Sequence, residues 1–132
     1  MAIPEGFHTV TPYLVVQGAL EAIALYEKAF DAEKGHIETA PDGRLRHGEI
    51  RIGTSPLMFT DGSPEYPYMH PVQHYGGSPI QLFLYVEDAD ALFLRAREAG
   101  MEELEPMANH EYGRSGGVKD RFGLIWWITT AP

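Results

Sequence analysis

Thr11-Pro12-Tyr13-Leu14-Val15-Val16 and Gln81-Leu82-Phe83-Leu84-Tyr85-Val86 carry the same alternation, seventy residues apart in a chain of 132. Each run precedes a segment of helical period, Ala19–Phe30 in the first half and residues 88–99 in the second. Each half then closes on paired β-rich stretches around a glycine, Gly53 and Gly123, again seventy apart. One plan written twice places equivalent positions about a pseudo-twofold axis. Functional groups are therefore expected to converge between the halves and not within one of them.

Outward from those two runs, the first half reads as a strand over residues 8–16, with Thr11, Tyr13 and Val15 on one face and Leu14 and Val16 on the other. The helix that follows shows a stripe of Leu20, Ile23, Ala24 and Phe30, with Glu21, Glu27 and Lys28 towards water. Residues 36–40 read as a strand, Pro41-Asp42-Gly43 as a tight turn, and Leu45–Ile52 as a strand. In that last strand Ile50 and Ile52 take one face and His47, Glu49 and Arg51 the other. A strand over residues 57–61 completes the unit. Residues 62–79 hold Pro64, Pro67, Pro71 and Pro79 beside Tyr66, Tyr68, His70, His74 and Tyr75. Nothing there is periodic, so the segment reads as a linker whose aromatics pack down over the cleft.

The second half repeats the order. Residues 80–86 predict a strand, and Asp88 caps a helix with a stripe of Ala89, Leu92, Phe93, Ala96 and Ala99 that Gly100 stops. Residues 104–107 read as a strand, 109–117 as a polar glycine-bearing loop, and 118–120 with 124–130 as the final hairpin. The prediction is an α+β chain of two βαβββ modules, residues 1–61 and 80–132 joined by the 62–79 linker, together making one domain. Neither half alone buries enough apolar surface to be secure, so the modules lean on each other or on a second chain.

Composition narrows the function classes. Ten basic residues against nineteen acidic give a net charge of −9, which argues against nucleic acid or an anionic membrane as partner. The chain has no cysteine, so disulfides, thiolate nucleophiles and cysteine metal sites are excluded. No run of eighteen apolar residues and no basic-then-apolar leader is present, and a cytoplasmic location is expected. The serines lie beside glycine or proline in turns, so no nucleophile constellation stands out.

The run Gly116-Gly117-Val118-Lys119-Asp120-Arg121-Phe122-Gly123-Leu124-Ile125-Trp126-Trp127 resembles the closing signature of the vicinal oxygen chelate superfamily, the glyoxalase, bleomycin-resistance and extradiol-dioxygenase group. Thr11-Pro12-Tyr13-Leu14, Ala22-Ile23-Ala24-Leu25-Tyr26 and His47-Gly48-Glu49-Ile50-Arg51-Ile52-Gly53 look more narrowly like its PhnB-like members. The resemblance implies paired βαβββ modules, an incompletely closed sheet around a cleft, and a homodimer. Metal-dependent members take ligands from the start of each module's first strand and the middle of each module's last strand. Here those places fall on Thr11, Gln81, Trp127 and one residue among Met58, Phe59 and Thr60. Divalent transition metals want imidazole, carboxylate or thiolate, so the inherited centre reads as lost and no cofactor is expected. His47 and Glu49, two apart on one strand face, are the remaining candidate ligands, with a third from His8, His70, His74 or His110. As a polar cross-strand ladder with Arg51 they would need no metal.

Rings in place of ligands make an apolar cleft with a few polar handles. Thr11, Tyr13, Phe59, Phe83, Tyr85 and Trp127 are expected to line it, with Gln81, Glu49 and Arg114 as handles. Such a pocket suits a planar aromatic compound, because offset stacking adds roughly 0.5–1.5 kcal/mol per ring pair. Glu49 and the acidic surface favour an amine-bearing ligand. The reading is a metal-free homodimer that sequesters a small aromatic molecule such as an antibiotic, more binding protein than enzyme. The competing reading is a divalent-metal lyase, isomerase or dioxygenase built on His47 and Glu49, and a third is a dimerising domain without a ligand.

Overall fold

The computed structural model describes residues 2–132. The first module runs β1 (Tyr13–Val15), α1 (Ala19–Phe30), β2 (Glu33–Thr39), β3 (Leu45–Ile52) and β4 (Ser55–Thr60). A short 3₁₀ turn at Val72–Tyr75 follows. The second module then runs β5 (Leu82–Tyr85), α2 (Ala89–Glu98), β6 (Glu102–His110), β7 (Gly113–Lys119) and β8 (Ile125–Thr130). The sheets have the orders β1-β4-β3-β2 and β5-β8-β7-β6, each with its first strand parallel to its last. This is the α+β duplication that the sequence predicts. Among the described residues no helix is long and apolar enough to cross a membrane.

Alternation decides which sheet face is covered. Ile50, Ile52, Leu57 and Phe59 of the first sheet and Val118, Trp126 and Ile128 of the second are buried under the helices. Burying each such side chain contributes roughly 1.5–3 kcal/mol. The two helix layers meet in one core, where Trp126 lies 5.0 Å from Tyr26 and 4.9 Å from Phe30 between ring centroids. Asp120, buried in the β7–β8 turn, fastens that contact. Its carboxylate accepts from the Tyr26 hydroxyl at 2.5 Å, the Trp126 indole at 2.9 Å, and the backbone N–H groups of Phe122 and Leu124. On the outside of the same junction, Arg95 of α2 donates to the carbonyl of Lys28 at the C-terminal end of α1.

Each helix is started by the end of its own module's last strand. Asp61, next after β4, accepts from the N–H groups of Gly18 and Ala19 at 2.7 and 3.1 Å. Thr130 at the end of β8 accepts from Ala89, and Asp88 adds the expected cap by accepting from Ala91.

Three expectations change in the structure. The α1 stripe is Ala19, Ala22, Ile23, Tyr26, Ala29 and Phe30, while Leu20 and Ala24 are exposed; the helix is rotated so that Tyr26 reaches Asp120. Of residues 8–16 only Tyr13–Val15 is strand, with Pro12 and Val16 each adding one backbone bond to β4; Pro12 has no N–H with which to carry the ladder further back. Residues 109–117 are not a loop: β6 runs to His110, β7 starts at Gly113, and Glu111-Tyr112 turns between them.

Candidate functional site

The faces turned away from the helices carry the candidate residues. On the second sheet Phe83 pairs with Trp127, which pairs with Gly117. A Cβ at Gly117 would stand 2.6 Å from the Trp127 ring, so glycine there lets the indole lie down on the sheet. Trp127 Nε1 donates to Gln81 Oε1 at 2.8 Å, which orients it further. One row along, the Ser115 and Thr129 hydroxyls share a buried hydrogen bond of 2.7 Å. Tyr112, in the β6–β7 turn, stacks on His110 at 4.9 Å and 5° and lies 6.1 Å from Phe83, which in turn lies 5.2 Å from Tyr85. Trp127, Tyr112, His110, Ser115 and Glu105 line a cavity of about 290 Å³. Phe83 and Tyr85 are 46% and 67% exposed, unusual for rings on a sheet face without a purpose.

The first sheet is more polar. Tyr13 pairs with Met58, which pairs with Glu49. His47 Nε2 and Glu49 Oε2 are 3.0 Å apart, and Tyr13 meets the His47 ring edge-on at 6.0 Å. Tyr13 also borders a cavity of about 460 Å³ whose other walls include Thr60, Arg44 and the linker's Tyr66 and Met69. The linker aromatics do not pack down over the cleft as expected: Tyr66, Tyr68 and Tyr75 stay exposed, and only Tyr66 borders this cavity. Gln73 anchors the linker by exchanging two hydrogen bonds with the backbone of Gln17 at the start of α1.

Between the modules lies a cavity of about 700 Å³. Phe83 and Tyr85 line it from the second module, and Arg51, Ile52 and Ser55 from the first. A smaller space of about 210 Å³ continues it past Pro12, Leu57 and Phe83. Tyr13, Glu49 and Met58 share none of these four cavities with Gln81, Tyr85 or Trp127.

Two expected site residues lie elsewhere. Phe59 is fully buried on the helix side, 5.5 Å from Tyr26; the β1–β4 register gives the open face to Met58 instead. Arg114 pairs across the ladder with Thr130, on the helix side, and its guanidinium binds Asp90 of α2 at 3.0 Å. That hydrogen-bonded guanidinium holds the Asp90 carboxyl below the usual carboxylate range. Thr11 is half-buried just ahead of β1. Reading residues 109–117 as a loop hid Tyr112 and Ser115; the two-residue spacing of His110 and Tyr112, just ahead of Gly113, was the available signal. Arg51 was legible as open-face by parity with His47 and Glu49.

A metal of the kind the family resemblance implies would need donors at Thr11, Gln81, Met58 and Trp127. A hydroxyl, an amide, a thioether and an indole N–H that already binds Gln81 do not fit a divalent transition metal. Among the described residues no group of three or more histidine, aspartate or glutamate side chains gathers as a ligand set.

Comparison with known proteins adds a family. The model of the Glyoxalase/Bleomycin resistance protein/Dioxygenase superfamily matches residues 6–128. An uncharacterized protein of Mycobacterium bovis, Mb0911c, is 39% identical over 122 residues, 89% of this chain and 79% of its own length. Among solved structures, a PhnB protein from Bacillus cereus superposes with a TM-score of 0.72 at 20% identity, covering 94% of this chain and all (100%) of that one. TnmS3 from Streptomyces sp. CB03234, described as an antibiotic binding protein, gives 0.73 at 21% identity, covering 100% of this chain and 99% of that one.

Proposed function

Because the chain belongs to the glyoxalase, bleomycin-resistance and dioxygenase superfamily, we propose that it binds a small planar aromatic compound without a metal, as a sequestering protein of the cytoplasm. The observation that carries this reading is the open face of the second sheet. Phe83 meets Tyr85 and Tyr112, and Trp127, its partner on the neighbouring strand, is held flat by Gly117 and Gln81 and shares a cavity with Tyr112. Preorganised rings cost little conformational entropy on binding, and they stack on any flat ligand. The description of TnmS3 supports an antibiotic as the kind of compound bound. The two exposed open faces support a homodimer in which a second copy covers them.

The test is intrinsic fluorescence across a panel of planar aromatic antibiotics. A binder quenches the wild-type emission, and the Trp127→Phe variant, which keeps the buried Trp126, loses most of that response. Emission unchanged across the panel refutes the reading. Metal analysis of protein purified without chelator guards the alternative: a stoichiometric metal ion lost in His47→Ala turns the conclusion towards a metal-dependent enzyme.

A further inference from the structure

The cavity between the modules holds a cation that the fold leaves unused. Arg51 sits on the open face of β3 and lines the 700 Å³ space together with Phe83 and Tyr85. Among the described residues no carboxylate lies within ion-pair distance of its guanidinium and no side-chain hydrogen bond occupies it, whereas the other cavity arginine, Arg95, is spent on the carbonyl of Lys28 and on Asp31. The guanidinium is also positioned. Gly6, with φ +83°, closes the Pro4–Phe7 turn directly over it, and a Cβ at residue 6 would collide with it.

Two of the three acids that line the same space are engaged. Asp31 lies 3.8 Å from Arg95, and Asp88 caps α2 through Ala91. Glu33 stands opposite Arg51 on the β2–β3 ladder and remains beyond ion-pair reach of it. An arginine that lines the same cavity as two exposed rings is suited to a carboxylate carried on an aromatic frame, since a planar, weakly hydrated guanidinium offers a bidentate fork to the anion while the rings take the ligand's face.

We infer that Arg51 is the anion anchor of this cavity, and that the ligand is an aromatic carboxylate whose ring system lies on Phe83 and Tyr85. This rests on the aromatic-binding reading above and reverses the ligand charge expected from the acidic surface. Arg51 also takes the part that Arg114, tied to Asp90, does not play.

Three probes of one shape decide it: anthracene-9-carboxylate, 9-anthracenemethanol and 9-anthracenemethylammonium, titrated at neutral pH by probe anisotropy. The carboxylate is expected to bind the wild type at least about tenfold more tightly than the alcohol, a difference of about 1.4 kcal/mol. Arg51→Gln should erase that preference and leave the alcohol's affinity within about twofold, well under the tenfold step. Arg51→Lys should keep part of the preference through charge alone. Equal binding of carboxylate and alcohol, a preference for the ammonium, or a carboxylate preference that survives Arg51→Gln each overturns the inference and leaves aromatic binding standing. If none of the three binds, aromatic binding and the anchor fall together.

Discussion

At the scale of single residues, Asp120 does the most for this fold. One buried carboxylate satisfies a tyrosine from the first module, an indole from the second and the two amides of its own turn. Burial, reinforced by the neighbouring Asp120 charge, pushes the Tyr26 hydroxyl well above its ordinary value of 10.0. The folded chain therefore holds that proton when the unfolded chain has lost it. Its contribution is complete below the ordinary value and declines as pH rises above it. Tyr26→Phe is expected to lower stability at neutral pH by about 1–3 kcal/mol and to flatten the alkaline decline, measured by urea unfolding at several pH values. An unchanged alkaline profile would show that other groups govern it. Strand alternation puts the adjacent Trp126 and Trp127 on opposite faces of the sheet, and that is how they stand. It did not reveal Asp120's partners, because they come from elements 94 and 6 residues away in the chain.

At the scale of elements, each helix begins on a side chain from the far end of its module. Gly18 occupies the cap position of α1 and has no side chain to offer, so Asp61 supplies the acceptor from 43 residues downstream. Asp61→Ala should therefore cost about 2 kcal/mol, at the upper end of capping losses, since the same carboxylate also accepts from Leu45. Amide exchange at Gly18 and Ala19 should quicken in that variant; a helix start as protected as in the wild type would disprove the account. Local propensity explains which elements were legible. The hydrophobic alternation of β3 and the Asp88 cap of α2 are local signals, and they read correctly. Strand β7 did not, because Gly113, Gly116 and Gly117 resemble a loop. All three are there for close approach: a Cβ at Gly113 would run into the Thr130 carbonyl, one at Gly116 would stand 2.7 Å from Met107 Sδ, and one at Gly117 would strike Trp127. The site on the second sheet was half legible for the same reason, with Tyr112 lost in the supposed loop.

At the scale of the whole molecule, the two modules share one core, with Tyr26, Phe30 and Trp126 at the junction. Unfolding should then be a single transition, with far-ultraviolet circular dichroism and tryptophan emission superimposing, and neither half should fold when expressed alone. Two separable transitions would mean that the junction is weaker than its packing implies. The duplication was legible because it is a property of spacing. The placement of Arg114 and Phe59 was not, since it turns on a single step of register, and one step moves a side chain to the opposite face.

Trp126 and Trp127 are neighbours in the chain and look in opposite directions, one sealed in the core and one lying on the open sheet. The protein thus carries a built-in reference lamp beside its indicator lamp. Solvent-borne quenchers reach the second before the first, so the balance between them gauges how much of the outer face is covered without any label being attached.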